Sequence, residues 1–311
     1  MQMKRGGFTL AELIVSLVIA SVVAAATALT LIRQERFYSR AGEVLEVKSQ
    51  LRDAADVLAS DIRGSAVATY GVPLMSDSAI ELYTTIGASV ACAASTSQTF
   101  GLAPAVLANG NTLTSLLVTP DSGDLAEVFA IPSGNLDSAR WETRPVVSFA
   151  SRSIASTCPP STGFTTLADA TPGAAGYQLV IAGSALPGAR KGAPVRFLRR
   201  ARYSIYKSSD NRWYLGYRRC AVLAPYSCAA IQPVSGPYRA YGARNGGNGL
   251  SFRYYDTSGA ELLPGSAGFT LARVDIVIRG QSANEIDLVG DAQKAFRDSV
   301  IVTVSPRNRR R

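Results

Sequence analysis

Every position from residue 13 to residue 32 is uncharged. As a helix rising ~1.5 Å per residue, that run spans about 30 Å, one hydrocarbon core. Charges return after Ile32, yet the apolar period continues. Phe37, Ala41, Val44, Leu51, Ala55, Leu58 and Ile62 recur at spacings of three and four or their multiples, while Arg36, Glu43, Glu46, Arg52, Asp53 and Asp56 take other faces. Lys48 interrupts the stripe, but its aliphatic stem can lie along an apolar surface. Gly64, directly after Arg63, is a C-cap signal. The pattern predicts one helix over residues 8–63, about 80 Å long. Its first half is apolar on all sides, and its second half is amphipathic and must pack on something. A coiled-coil stalk is the rival, but the second half offers only about four heptads and the sequence beyond it is strand-rich.

From residue 79 the period changes to that of strands. Runs rich in β-branched and aromatic residues fall at 79–84, 113–119, 125–131, 177–182, 195–207, 212–222, 250–256, 271–279 and 298–305, separated by Gly, Pro, Ser and Asn clusters. Runs 195–207 and 212–222 flank the polar turn Ser208-Ser209-Asp210-Asn211 and predict a long antiparallel hairpin. In the first of them Phe197, Tyr203 and Ile205 share one face, and Arg196, Arg200 and Arg202 share the other. Such a basic face is expected to be the solvated side; contact with an anion or nucleic acid is the sharper alternative. Residues 87–111, 150–176 and 232–249 read as long surface loops. No repeat, linker or charge run divides residues 65–311, which are expected to form one β-rich domain.

Hydrophobic residues make up 47% of the 311 and charged residues 18%, enough apolar material for a core. The net charge is +9, and there is no histidine. Ser-His-Asp and Cys-His sites and histidine metal ligands are thereby excluded. No motif sets two carboxylates in a recognisable cleft, so no catalytic residue and no cofactor is assigned. A membrane-anchored extracytoplasmic enzyme is a remote alternative. The four cysteines, Cys92, Cys158, Cys220 and Cys228, allow three disulfide connectivities. Cys220–Cys228 would close a short loop after the hairpin, and Cys92–Cys158 would tie two small-residue loops. A zinc site is the rival, without CxxC spacing to support it.

The N-terminus places this chain at a membrane. Lys4 and Arg5 precede the apolar run, which orients the N-terminus inside and the remainder translocated. A secretory signal peptide would show the same charges, with small residues at Ala24-Ala25-Ala26 for cleavage, and a plain uncleaved anchor would too. Against both, the apolar run exceeds the usual ~7–15 residues of a signal core. Glu12 also lies inside the hydrophobic segment, where a carboxylate is costly and calls for a partner.

The stretch Lys4-Arg5-Gly6-Gly7-Phe8-Thr9-Leu10-Ala11-Glu12-Leu13 resembles the class III leader of type IV pilins and type II secretion pseudopilins. The resemblance implies that prepilin peptidase cuts between Gly7 and Phe8, removing residues 1–7, and that Phe8 is then N-methylated. It implies that residues 8–32 remain as a membrane and filament core, with Glu12 as the assembly acid that meets a neighbouring subunit's N-terminal amine. Other pilins are the partners, and the inner membrane is the site before assembly, with the globular domain periplasmic or extracellular. Residues 271–279 and 297–309, ending Arg307-Asn308-Arg309, resemble the last strands of PilW-type minor pilins and J-type pseudopilins. The implied fold is α+β and pilin-like, a long helix packed on an antiparallel sheet with long loops. The implied role is that of a minor pilin or pseudopilin, with a DNA-binding or adhesive tip subunit as the alternative.

Overall fold

The computed structural model describes residues 9–92, 98–242, 248–266, 268–286 and 294–307. Gly7 and Phe8 lie outside the described residues, as do Asn308 and Arg309. Helix α1 (Leu10–Arg63) runs unbroken for 54 residues. Its apolar half has the length and hydropathy to cross a membrane and buries nothing within the chain. Four hydroxyls in that half donate to carbonyls one turn back: Ser16 to Leu13 at 2.9 Å, Ser21 to Val18 at 2.8 Å, Thr27 to Val23 at 2.8 Å and Thr30 to Ala26 at 2.9 Å. Lipid cannot satisfy such groups, and the helix satisfies them internally.

The second half buries Val47, Leu51, Ala54, Ala55, Leu58, Ala59 and Ile62. Four members of the expected stripe are among them. Val47 takes the place that Lys48 interrupts, and Phe37 is 66% exposed because the sheet does not reach it. Gly64 occupies the C-cap with φ −80°, a conformation open to any residue, and its N–H donates to Ser60 O at 2.9 Å. The C-terminal segment returns to this point: the Arg307 N–H donates to Arg63 O at 3.1 Å.

Two short helices, α2 (Val67–Tyr70) and α3 (Ile154–Thr157), accompany the strands. These are β1 (Leu74–Met75), β2 (Ala79–Val90), β3 (Thr99–Leu102), β4 (Ser115–Leu116), β5 (Leu125–Ala130), β6 (Arg140–Ser153), β7 (Ala175–Ile181), β8 (Pro194–Lys207), β9 (Trp213–Arg219), β10 (Gln232–Tyr238), β11 (Leu250–Tyr255), β12 (Glu261–Leu262), β13 (Arg273–Ile286) and β14 (Lys294–Val304). They join in one sheet along the path β12-β11-β13-β10-β9-β8-β5-β6-β7-β3, with β14 on β13, β2 on β8, and β1 and β4 on β2. The β8–β9 hairpin pairs Lys207 with Trp213 through to Ala201 with Arg219, around the turn foreseen at 208–211.

All three expected loops contain strand residues. Segment 232–249 holds β10, whose prolines and glycine disguise it; register shifts on either side of Ser235 let the ladder accommodate them. β6 continues into the expected loop at 150–176, and β2 and β3 enter the one at 87–111. Strand β6 has polar and exposed positions along most of its length, so it shows little apolar alternation. It still bridges β5 through residues 140–145 and β7 through 146–153.

Helix α1 lies across β10, β13 and β14, and its buried face joins Ile80, Leu82, Tyr203, Leu215, Phe252, Val274, Ile276 and Ile278 in the main core. Tyr203 donates to Asp61, and Tyr238, 1% exposed, donates to Gln50 O at 3.1 Å, so two phenols tie helix to sheet. A second core gathers Phe100, Leu102, Val128, Leu179, Ile181, Val195 and Phe197. Strand β8 serves both cores: its first residues pack into the outer one and Ala201 and Tyr203 into the helix-backed one.

Candidate functional site

Thr9 and Glu12 build the start of α1. The Glu12 N–H donates to Thr9 Oγ1 at 3.3 Å, while Glu12 Oε2 accepts from the Thr9 N–H at 2.9 Å and from the Thr9 hydroxyl at 3.0 Å. This is a capping box, a Thr and a Glu three positions apart that satisfy each other's end of the helix. The carboxylate is therefore held in position by its own chain while staying fully exposed beside Val15, Ser16 and Ile19. Its bonds neutralise none of its charge. Thr9 escaped the reading of the sequence, although Thr9-x-x-Glu12 carries the capping signature in plain view.

The arginines of β8 are placed differently from expectation. Arg196, Arg200 and Arg202 do share a face, but it is not a solvated cationic surface. Glu127, paired with Arg196 across β5 and β8, forms a salt bridge with it. Glu81 takes both Arg200, at 2.5 Å, and Arg202, at 2.7 Å. Both glutamates are 0% exposed, whereas the three arginine side chains are 20%, 13% and 36% exposed. The Arg196 guanidinium also lies 4.4 Å from the Trp141 ring centre, and that of Arg200 lies 4.9 Å from Tyr226. On the opposite face Arg199 holds buried Asp124 with two bonds, at 2.9 and 2.7 Å, and Arg219 adds a third at 3.1 Å. The Asp124 bonds hold Arg199 in its charged form. The physical reason lies in the strand pairing: an acid in each neighbouring apolar strand, Glu81 in β2 and Glu127 in β5, needs a cation.

Among the described residues no cation forms an ion pair with Asp61. Burial raises its pKa above the ordinary carboxylate range, and the Tyr203 hydrogen bond opposes that rise.

Cys92 bonds to Cys158 and Cys220 to Cys228, the pairs anticipated from the chain. Cys220, Cys228 and Glu81 lie close enough to suggest a metal. The donors do not fit one, because both sulfurs are in a disulfide and Glu81 already carries two arginines.

With this geometry in place, comparison with known families finds that residues 2–28 match the prokaryotic N-terminal methylation motif. No curated protein and no solved structure matches the chain. The match is to the class III prepilin leader, and a long helix on a large antiparallel sheet is a pilin-like α+β architecture. The leader implies processing by prepilin peptidase and assembly with other pilins. Leader and helix together fit a single-pass inner-membrane anchor with the globular domain beyond it.

Proposed function

We propose that the protein is a minor pilin or pseudopilin, a structural and assembly subunit rather than an enzyme. The observation that carries this reading is Glu12: an exposed carboxylate in a lipid-length helix, held by Thr9 but given no countercharge by it. An N-terminal amine of a neighbouring helix, one turn away along the bundle, supplies that charge when subunits assemble. The apolar half then leaves lipid for a bundle of like helices, while the domain stays outside. The size of that domain supports a low-copy place at a filament tip or in a priming complex. The test is incorporation: Glu12→Ala should remove the protein from sheared filaments, and mass spectrometry of wild type should find a chain beginning at methylated Phe8. Incorporation at wild-type level, or another first residue, refutes the reading. A deletion strain with normal filament number, combined with protein found along the whole shaft, refutes the tip position. Neighbouring genes separate a type IV pilus from a secretion pseudopilus or a DNA-uptake filament.

A further inference from the structure

A second group of arginines behaves unlike those of β8. The register of β13 and β14 pairs Arg279 with Ser299 and Gln281 with Arg297, so Arg279, Ser299 and Arg297 share one face of the ladder. The opposite face is the helix side, because Gly280 between them approaches so closely that an added Cβ would lie 2.9 Å from Val47 Cγ1. Arg239 follows β10 directly, and its N–H donates to Arg279 O at 3.0 Å. The three arginines, with Asp298 and Ser299, line a depression of about 250 Å³ on the solvent side of the sheet.

Among the described residues neither Arg279 nor Arg297 forms an ion pair. Asp298 pairs with Gly280, so its carboxylate leaves the ladder on the helix side, away from the face of Arg279 and Arg297, and it accepts from the Ser299 N–H at 2.8 Å. Arg279 is oriented by a bond from Nη1 to Asn248 O at 2.8 Å, which leaves its remaining donors for a ligand. Partial burial and the fields of Arg297 and Arg279 make the Arg239 charge less favourable, a penalty that a bound anion would relieve.

We propose that Arg239, Arg279 and Arg297 form a binding site for a phosphate- or sulfate-type oxyanion carried by a soluble extracytoplasmic ligand. Planar guanidinium forks suit such groups, and the Ser299 hydroxyl adds a neutral donor. Lipid headgroups are too distant to be the source. The depression lies behind Gly280, level with Val47 and Leu51, roughly 25 Å along α1 from the end of its apolar run. That is about three Debye lengths at physiological salt.

The test is calorimetric titration of the full-length protein, in zwitterionic detergent micelles, with pyrophosphate and separately with sulfate. Saturable binding at one site is expected, weakened about tenfold or more by Arg279→Gln and by Arg297→Gln. Arg253→Gln, on the same sheet face opposite Asp275, should bind as wild type does. An unchanged near-UV circular dichroism spectrum shows that a variant is folded. Absence of saturable binding to wild type, or equal affinity across all variants, overturns the site. Nanodiscs containing phosphatidylglycerol should leave pyrophosphate affinity unchanged, and competition by that lipid would overturn the soluble source.

Discussion

In the apolar half of α1 one carboxylate stands among apolar side chains and, among the described residues, has hydroxyl and amide partners but no cation. In the sheet three carboxylates, Glu81, Asp124 and Glu127, are fully buried and each meets arginine. The chemistry of the group is the same, and the position of the countercharge differs. Inside the domain the charge is balanced within the chain, so the acid contributes to folding. In the helix, under the proposed role, the balance comes from another molecule and the acid contributes to assembly. A charge inside an apolar element therefore reports on stability or on association according to where its partner lies.

The sharpest way to break that contrast is Glu12→Ala. Leaving a neighbour's amine uncompensated in the bundle costs about 3–5 kcal/mol, more than a hundredfold in incorporation. Denaturant unfolding of the domain in detergent should not move, because the apolar half touches none of it. Next comes a covalent tie, the Cys92–Cys158 disulfide, whose residues pack with Ala103 in a small cluster of their own. Replacing Cys92 and Cys158 by Ser should cost about 4 kcal/mol, from the chain entropy of a crosslink spanning 66 residues. Replacing Cys220 and Cys228, 8 residues apart, should cost only about 2.6 kcal/mol in the same unfolding measurement.

Glu81→Gln should lower unfolding free energy by about 3 kcal/mol, the lower end of the range for a broken buried pair, since Arg202 retains some water. Filament incorporation of the folded fraction should stay normal, the reverse of the Glu12 result. Thr9→Ala removes the N-cap and should cost about 1 kcal/mol of helix stability, seen as a modest fall in incorporation with cleavage intact.

The smallest effect is one of pH. The Asp61 pKa is raised on folding, so the folded state holds that proton more tightly than the unfolded chain does. Its contribution is fully present below the unfolded value near ~3.9 and is lost as pH rises through the higher folded value. Asp61→Asn should flatten that segment of a plot of Tm against pH.

Much of this architecture was legible along the chain because the relevant physics is local. A membrane-length run and a 3.6-residue stripe need only near neighbours to act, and an alternating strand beside a polar turn predicts its own hairpin. The Thr-x-x-Glu start is equally local, though Thr9 escaped the reading of the sequence. The β6 and β10 strands were not legible in this way. The first is recognised by the two strands it joins, and the second carries prolines that only a bulged register can accept.

Charge shows the division most clearly. Arginines at 196, 200 and 202 alternate as a solvated strand face would, and nothing local distinguishes that from a face neutralised by acids more than 60 residues away. The sheet brings Glu81 and Glu127 alongside those cations, whereas among the described residues it gives Arg279 and Arg297 no ion pair. By itself the sequence determined which segments enter the membrane, which form the helix and which side of the membrane the rest occupies. Tertiary structure decided which charges are balanced inside the molecule and which face outward, because Coulomb energy depends on distance in space and the fold alone sets that distance.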